Sequence, residues 1–249
     1  MLQTILGKFR HVVACEQTRR STSVYNFPAP RLGTAIIVGN EERGIPREVI
    51  KQADNIVCVP MAENRLSSLN VAVAASIILY VLALDLGRKH RLRARLRQSD
   101  VDVLVHAPAD PHEIGSLLRS LYAFGWRRAF VSDPHGVWFT EDPQLILAGR
   151  AAARRANNLL AVLPASQLDH THYDATLVCD ARGERTALSK LRLPECRRLL
   201  IEIGGSDAEE DLGIPATRVS VDFEDHAVPA RFRHTGSILL SAVSQMLIT

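Results

Sequence analysis

The sequence is poor in features that mark several specialised classes of protein. Its 249 residues include four cysteines, which are widely scattered and form neither a CxxC pair nor a zinc-type Cys/His spacing. This scatter argues against a disulfide framework and a structural metal, and it makes a reducing cytoplasm the simplest location. Aromatic residues make up 5% of the chain and are not interleaved with the basic residues, as they are in proteins that read single strands by stacking.

Long apolar runs are also missing. The longest apolar stretch covers residues 71–84, is interrupted by Ser76 and Tyr80, and falls short of the roughly 20 residues that span a bilayer. The first residues lack the basic start, the apolar run and the cleavage site of a secretory signal. We therefore predict no membrane segment, and the stretch 71–84 indicates a buried helix.

The formal net charge is only +3, but the basic residues are unevenly distributed. One short stretch, with no acid before Asp100, contains Arg88, Lys89, Arg91, Arg93, Arg95 and Arg97. Such a run can neutralise several phosphates of a polyanionic partner. The alternative is a solvated linker whose charges serve solubility.

The basic run separates two halves that each alternate strands with helices. In the first half, short Val/Ile-rich runs predict strands at 11–14, 34–38 and 55–59 and a helix at 69–86. The second half predicts strands at 101–105, 128–131, 159–163, 175–179, 199–203 and 218–221, and helices at 112–124, 144–156 and 236–248. Apolar strands without polar alternation are covered on both faces, so we predict an α/β fold with a parallel sheet between helices.

The two halves share a weak internal repeat. AIIVGNEERGIP at 35–46 and LLIEIGGSDAEEDLGIP at 199–215 each contain a strand, a glycine turn, acids and then Gly-Ile-Pro. Each is followed by a strand, a loop and a terminal apolar helix. This common order of elements favours duplication over chance.

The first glycine turn, from Gly39 to Gly44, is a candidate ligand loop. It is not a phosphate loop, because Ile45 and Pro46 stand where Lys and then Ser or Thr are required, and no GxGxxG dinucleotide turn is present. A glycine turn that leaves a parallel strand nevertheless lies where small-molecule crevices form. The alternative is a tight strand-to-helix turn that binds nothing.

A second candidate region is VCVPMAENRLSSLNVAVAASIILY at 57–80. A strand runs into Pro60 and Met61, a polar loop follows, and Ser68 is placed to cap the apolar helix. In the simplest interpretation, Ser68 and Asn70 only cap that helix.

Together, VGNEERGIP and VPMAENRLSSLNVAVAASIILY resemble the second and third motifs of the SpoU branch of the SPOUT methyltransferases, in the correct order and at the usual separation. The resemblance implies transfer of a methyl group from S-adenosylmethionine to a ribose 2'-hydroxyl of rRNA or tRNA. It also implies an α/β domain with a deep trefoil knot, which is nearly absent from other proteins. RNA is then the polyanion that would contact Arg88, Lys89, Arg91 and Arg93.

The same resemblance implies roles for individual residues. The cofactor-binding residues would be Val38, Gly39, Asn40, Gly44, Val59, Pro60, Met61 and Leu69. Ser68 and Asn70 would lie beside the reacting ribose, and Glu41 is counted with them as catalytic. Glycine turns and apolar walls suffice to hold an adenosyl ligand, and no metal is required. The enzyme must add orientation of the attacking oxygen and help in removing its proton.

The first family motif, which carries an arginine, has no counterpart before Thr34. DPHEIGSLLRSLYAFG at 110–125 resembles it instead, and its Arg119 is therefore a candidate catalytic residue supplied by the second half. The alternative is a natural start upstream of Met1 that restores the missing motif.

The second half departs from the family at its own cofactor end, because DFEDHAVPARFRHTGSILL at 222–240 has neither Pro-Met nor Ser-Leu-Asn. We therefore predict a partial SpoU domain with the cofactor-binding knot at 1–87, a basic linker at 88–100 and a degenerate SpoU-like domain at 101–249. The copies would form a pseudo-dimer within one chain, or two chains a homodimer through the knot. The alternative to an RNA methyltransferase is a catalytically inactive protein of the same fold that binds RNA or assists assembly.

Overall fold

A computed structural model describes residues 7–30, 32–40, 43–62, 68–86, 96–153, 158–179, 186–204, 214–221 and 231–247. The chain divides into two compact units. The first contains Met1–Pro60 and Leu69–Arg91, and the second contains Met61–Ser68 and Leu92–Thr249. The units differ from the predicted domains in the segment Met61–Ser68, which is grouped with the second unit although the chain on either side of it belongs to the first.

The first unit is built on four parallel strands, namely β1 (His11–Cys15), β2 (Thr22–Ser23), β3 (Thr34–Val38) and β4 (Asn55–Cys58). Their order in the sheet is β2-β4-β1-β3. The central strand β1 is apolar and buried, as expected of a strand with neighbours on both sides. The short helix α1 (Arg47–Ile50) contributes Val49 to a cluster with Ala14 of β1 and Ile45.

The first unit ends in helix α2 (Val71–Leu84), whose buried residues are Val73, Ile77, Ile78, Tyr80, Val81 and Leu82. The prediction that Ser68 caps this helix is wrong. The N-cap is Asn70, whose Oδ1 accepts hydrogen bonds from the backbone N–H groups of Ala72 (2.9 Å) and Val73 (3.4 Å). The helix begins two residues later than predicted, so Ser68 lies before the cap.

The second unit has a seven-stranded parallel sheet in the order β7-β6-β5-β10-β8-β11-β9. Its strands are β5 (Val101–His106), β6 (Arg128–Ser132), β7 (Ala161–Pro164), β8 (Ala175–Cys179), β9 (Thr186–Ala187), β10 (Leu199–Ile203) and β11 (Ala216–Ser220). Its helices are α3 (Pro111–Ala123), α4 (Pro143–Ala152) and α5 (Phe232–Met246). Helix α3 packs against both α4 and α5, and all residues of α3 from Glu113 onward are buried. The predicted α/β class with parallel sheets is confirmed.

Four strands of the second sheet repeat the order of the first sheet. When β8, β9, β10 and β11 are matched in turn to β1, β2, β3 and β4, the order β9-β11-β8-β10 corresponds to β2-β4-β1-β3. A 3-10 helix directly follows the short strand in each unit, at Val24–Asn26 and at Leu188–Lys190. This shared topology supports the predicted duplication. The surroundings differ, because β10 also pairs with β5, whereas β3 is an edge strand among the described residues.

The second unit contains a buried carboxylate that joins three segments of the chain. Asp102 of β5 is 3% exposed and accepts two hydrogen bonds from the Arg128 guanidinium (2.6 and 2.7 Å). It also accepts one from the Tyr173 hydroxyl (2.8 Å) and one from Arg198 Nη2 (3.0 Å). Burial acts to raise the pKa of Asp102, but the hydrogen bonds from Arg128 and Tyr173 and the two positive charges outweigh it, so the pKa lies below its usual value.

Replacing Asp102 tests this cluster. We expect Asp102→Asn to lower the free energy of unfolding by about 3 kcal/mol at pH 7, because it removes the charge that two guanidinium groups share. The folded pKa lies below the unfolded one, so the carboxylate stabilises fully above about pH 4, and this is lost as the pH falls through the folded value. Urea unfolding should therefore show the variant and the wild type converging in acid. The exposed Glu141→Gln is the control and should change little.

Candidate active site

The candidate residues of the first unit lie at one edge of its sheet, where three strands end side by side. Cys15, the last residue of β1, is paired with Val38 of β3 on one side and with Val57 of β4 on the other. The loops that begin at Gly39 and at Val59 therefore leave the same edge, on either side of β1, from strands about 10 Å apart. Parallel sheets open ligand crevices at such points, where successive strands lie on opposite sides of a central one.

The turn between Gly39 and Gly44 is closed by its own backbone. The N–H of Asn40 donates to the Gly44 carbonyl oxygen (3.1 Å), and the N–H of Gly44 donates to that of Asn40 (2.8 Å). Gly44 has φ +64°, and a Cβ atom at Gly39 would lie 2.6 Å from the Gly44 carbonyl carbon. Both glycines are therefore required for the shape of this turn.

Glu16 joins the two loops and was not identified from the sequence. Its backbone N–H donates to Val57 O (3.0 Å), and its Oε2 accepts from the N–H of Ile45 (2.9 Å). The sequence feature that could have identified Glu16 is an acidic residue directly after a buried parallel strand. The neighbouring Cys15 is excluded as a nucleophile, because burial, with a contribution from the Glu16 charge, raises the pKa of its thiol to about 12.

The remaining predicted cofactor residues differ in exposure. Val59 is buried, Pro60, Met61 and Leu69 are half-buried, and Asn40 is exposed. Glu41, Arg88, Lys89, Arg91 and Arg93 lie outside the described residues. Their predicted roles stay predictions.

Two predicted catalytic residues are in direct contact within the second unit. Arg119 of α3 is 5% exposed and donates from Nε to the Ser68 carbonyl oxygen (3.0 Å) and from Nη2 to Ser68 Oγ (2.8 Å). Ser68 is therefore bound through both its backbone and its side chain. The structure brings this pair together, while the chemical role of each residue and the shared site stay predictions.

The glycine that follows the matching strand of the second unit is covered by an aromatic ring. Gly204 follows β10 as Gly39 follows β3, and a Cβ atom on Gly204 would collide with the ring of Phe232. Glu113 accepts a hydrogen bond from the backbone N–H of Arg233 (3.0 Å) and forms an ion pair with its guanidinium (2.9 Å). These contacts occupy the start of α5 and support the prediction that this copy does not bind a cofactor in the standard way.

Two kinds of site are absent from the described ranges. No group of three or more His, Cys, Asp or Glu side chains there could hold a metal ion. No helix of those ranges is long and apolar enough to cross a membrane.

Residues 3–80 match the SpoU rRNA Methylase family. This segment belongs to the SpoU family. It shares 44% identity over 52 residues with an uncharacterized tRNA/rRNA methyltransferase of Archaeoglobus fulgidus, covering 21% of this chain and 23% of that protein. A second such protein, from Mycoplasma genitalium, is 49% identical over 45 residues, covering 18% of each chain. The matches thus span about a fifth of these curated relatives.

Two solved structures are similar to a larger part of the chain at low sequence identity. An AdoMet-bound rRNA methyltransferase from Sinorhizobium meliloti has 14% identity and a TM-score of 0.44, with 64% of this chain and 62% of that chain covered. The A. aeolicus TrmH/SpoU tRNA modifying enzyme has 12% identity and a TM-score of 0.46, with 67% and 84% covered. At these TM-scores the likeness is loose and carries no information about activity.

The glycine turn can be tested by adding a single methyl group. In Gly44→Ala the Cβ atom would lie 2.6 Å from Glu16 Oε2, at a φ of +64° that disfavours L side chains. We expect a loss of about 1–2 kcal/mol in the free energy of unfolding, because the left-handed backbone is strained and the Glu16 to Ile45 hydrogen bond is displaced. Thermal unfolding of the variant and the wild type measures this loss. Gly136→Ala, which has a similar φ of +60° but no atom within 4 Å of the added Cβ, isolates backbone strain and should cost less.

Proposed function

We propose that this chain is an S-adenosylmethionine-dependent RNA ribose 2'-O-methyltransferase that acts on rRNA or tRNA. One observation carries the proposal. The segment that matches the SpoU family contains both candidate loops, and these loops leave the carboxyl edge of its sheet on either side of β1. A deep trefoil knot that joins these loops is part of the proposal.

The residues at this edge fit an adenosyl ligand. The turn from Gly39 to Gly44 is closed by backbone hydrogen bonds between Asn40 and Gly44, and a glycine turn of this kind suits the bent backbone that holds an adenosyl ligand. Val59 and Pro60, which follow β4, supply apolar surface on the other side of β1. When bound, S-adenosylmethionine supplies the activated methyl group. The chain's own residues must then orient the ribose hydroxyl and assist removal of its proton.

Asn70 has two possible roles, capping of α2 and contact with the reacting ribose, and these roles can be separated. Its Oδ1 accepts hydrogen bonds from the first N–H groups of α2, so an effect on the substrate would pass through Nδ2, which is a donor. Ser68 lies two residues earlier and is held by Arg119. We propose that Ser68 and Asn70 face the ribose and that Glu41 belongs to the same site.

RNA is the proposed partner on the strength of the family match. The two curated relatives carry the name tRNA/rRNA methyltransferase, which supports this class of substrate. Contacts to phosphates and 2'-hydroxyls, guided by shape, suit a chain with few aromatic residues. Arg88, Lys89, Arg91 and Arg93 are proposed to provide some of the phosphate contacts.

Methyl transfer and helix capping can be separated at Asn70. Ser is a good N-cap residue and Ala is a poor one, so Asn70→Ala should lower the free energy of unfolding by about 1 kcal/mol while Asn70→Ser should change it little. If the carboxamide acts on the substrate, both variants should lose methyl transfer, measured with labelled S-adenosylmethionine and bulk rRNA and tRNA. Retained transfer in Asn70→Ser would restrict this residue to capping. RNA binding without incorporation by the wild type would contradict the proposed activity.

The number of cofactor sites provides a separate check. Because the ring of Phe232 covers Gly204 at the matching position of the second unit, we expect one S-adenosylmethionine per chain by calorimetry. The substitution Gly39→Ala, which places a Cβ atom against the Gly44 backbone, should remove that site. Two equivalents bound by the wild type would show that the second turn also binds the ligand.

A further inference from the structure

The segment Met61–Ser68 is held by helix α3 at both of its ends. Near the first end, the backbone N–H of Ala62 donates to the Ala123 carbonyl oxygen (2.8 Å). At the other end, Arg119 donates to both oxygen atoms of Ser68. This explains why the segment groups with the second unit while its flanking residues belong to the first.

The carboxyl end of α3 is suited to hold a passing backbone. The last carbonyl groups of a helix have no partner within the helix. Here the Ala123 carbonyl accepts from Ala62, and the Phe124 carbonyl accepts from Gln98 Nε2 (2.8 Å). The next residue, Gly125, has φ +103°, and a Cβ atom there would lie 3.1 Å from Ala62 Cβ and 2.7 Å from Gln98 Oε1. A larger residue at Gly125 would therefore push the segment away.

The contact between Arg119 and Ser68, at the other end of the segment, is also fixed by packing. Arg119 is buried on a helix that packs against α4 and α5. Gly115, one turn before it, lies so close to Gly149 of α4 that a Cβ atom would collide with the Gly149 carbonyl oxygen. The backbone that carries Arg119 therefore cannot shift without disturbing that packing, and its guanidinium is already oriented for Ser68.

We infer that α3 is a clamp for the segment Met61–Ser68, whose Met61 is a predicted cofactor-binding residue, and that Arg119 is a positioning residue rather than the group that accepts the ribose proton. This inference rests on the proposed function. A guanidinium stays protonated at any pH at which proteins function, so it is a poor proton acceptor. Its Nε and Nη2 groups also donate to Ser68, two residues before Asn70. Arg119 thereby fixes the backbone and the side chain of Ser68.

The clamp predicts that loss of Arg119 changes the affinity for S-adenosylmethionine and leaves the pH dependence of methyl transfer unchanged. We expect Arg119→Ala to weaken the affinity for S-adenosylmethionine on the order of tenfold, because two charge-assisted hydrogen bonds to the loop are lost. The pH dependence of single-turnover methyl transfer at saturating S-adenosylmethionine should keep its shape. Arg119→Lys, which retains the charge and one donor group, should recover part of the affinity. Arg150→Ala on α4 removes an exposed arginine of the same unit and should have no effect.

A second variant covers the case in which Arg119→Ala does not fold. Ser68→Ala removes only the hydroxyl acceptor and should weaken binding less, and the double variant should be no weaker than Arg119→Ala alone. Unchanged affinity in folded Arg119→Ala, or loss of an ionisation from its pH profile, would overturn the clamp while leaving the proposed function intact. A wild-type protein that neither binds S-adenosylmethionine nor transfers a methyl group would instead overturn the proposed function, and the clamp with it.

Discussion

The pairing of β1 with a parallel strand on each side is the constraint on which the candidate site of the first unit depends. Because β3 and β4 run parallel to β1 in register, their ends and the loops that follow them emerge together. Glu16, the first residue after β1, hydrogen-bonds to Val57 on one side and to Ile45 on the other. The spacing of the two loops is thus set by sheet geometry.

The two units use one topology in different ways. In the first, the turn after β3 is closed by backbone hydrogen bonds between Asn40 and Gly44. In the second, the corresponding Gly204 is covered by the ring of Phe232. A glycine can be kept in both places for steric reasons alone, so its presence in a repeat does not indicate a shared ligand.

Strand and helix positions followed from apolar runs, because buried parallel strands and buried helices leave a strong pattern. The strands at 34–38, 175–179 and 199–203 have the predicted bounds. The cap of α2 was assigned two residues too early, because SSLN offers three polar residues and the sequence alone does not show that Ser68 is bound by Arg119. Glu16 was missed because its partners are the backbone groups of Val57 and Ile45, which no side-chain motif reports.

The two units are connected through more than one segment of the chain. The chain passes between the units at three points, after Pro60, after Ser68 and after Arg91, instead of through one linker. Cutting at the basic run alone would leave this segment attached to one fragment and its partners Ala123 and Arg119 on the other. Exchange of either half at that cut would therefore break the hydrogen bonds that Ala62 and Ser68 make with helix α3.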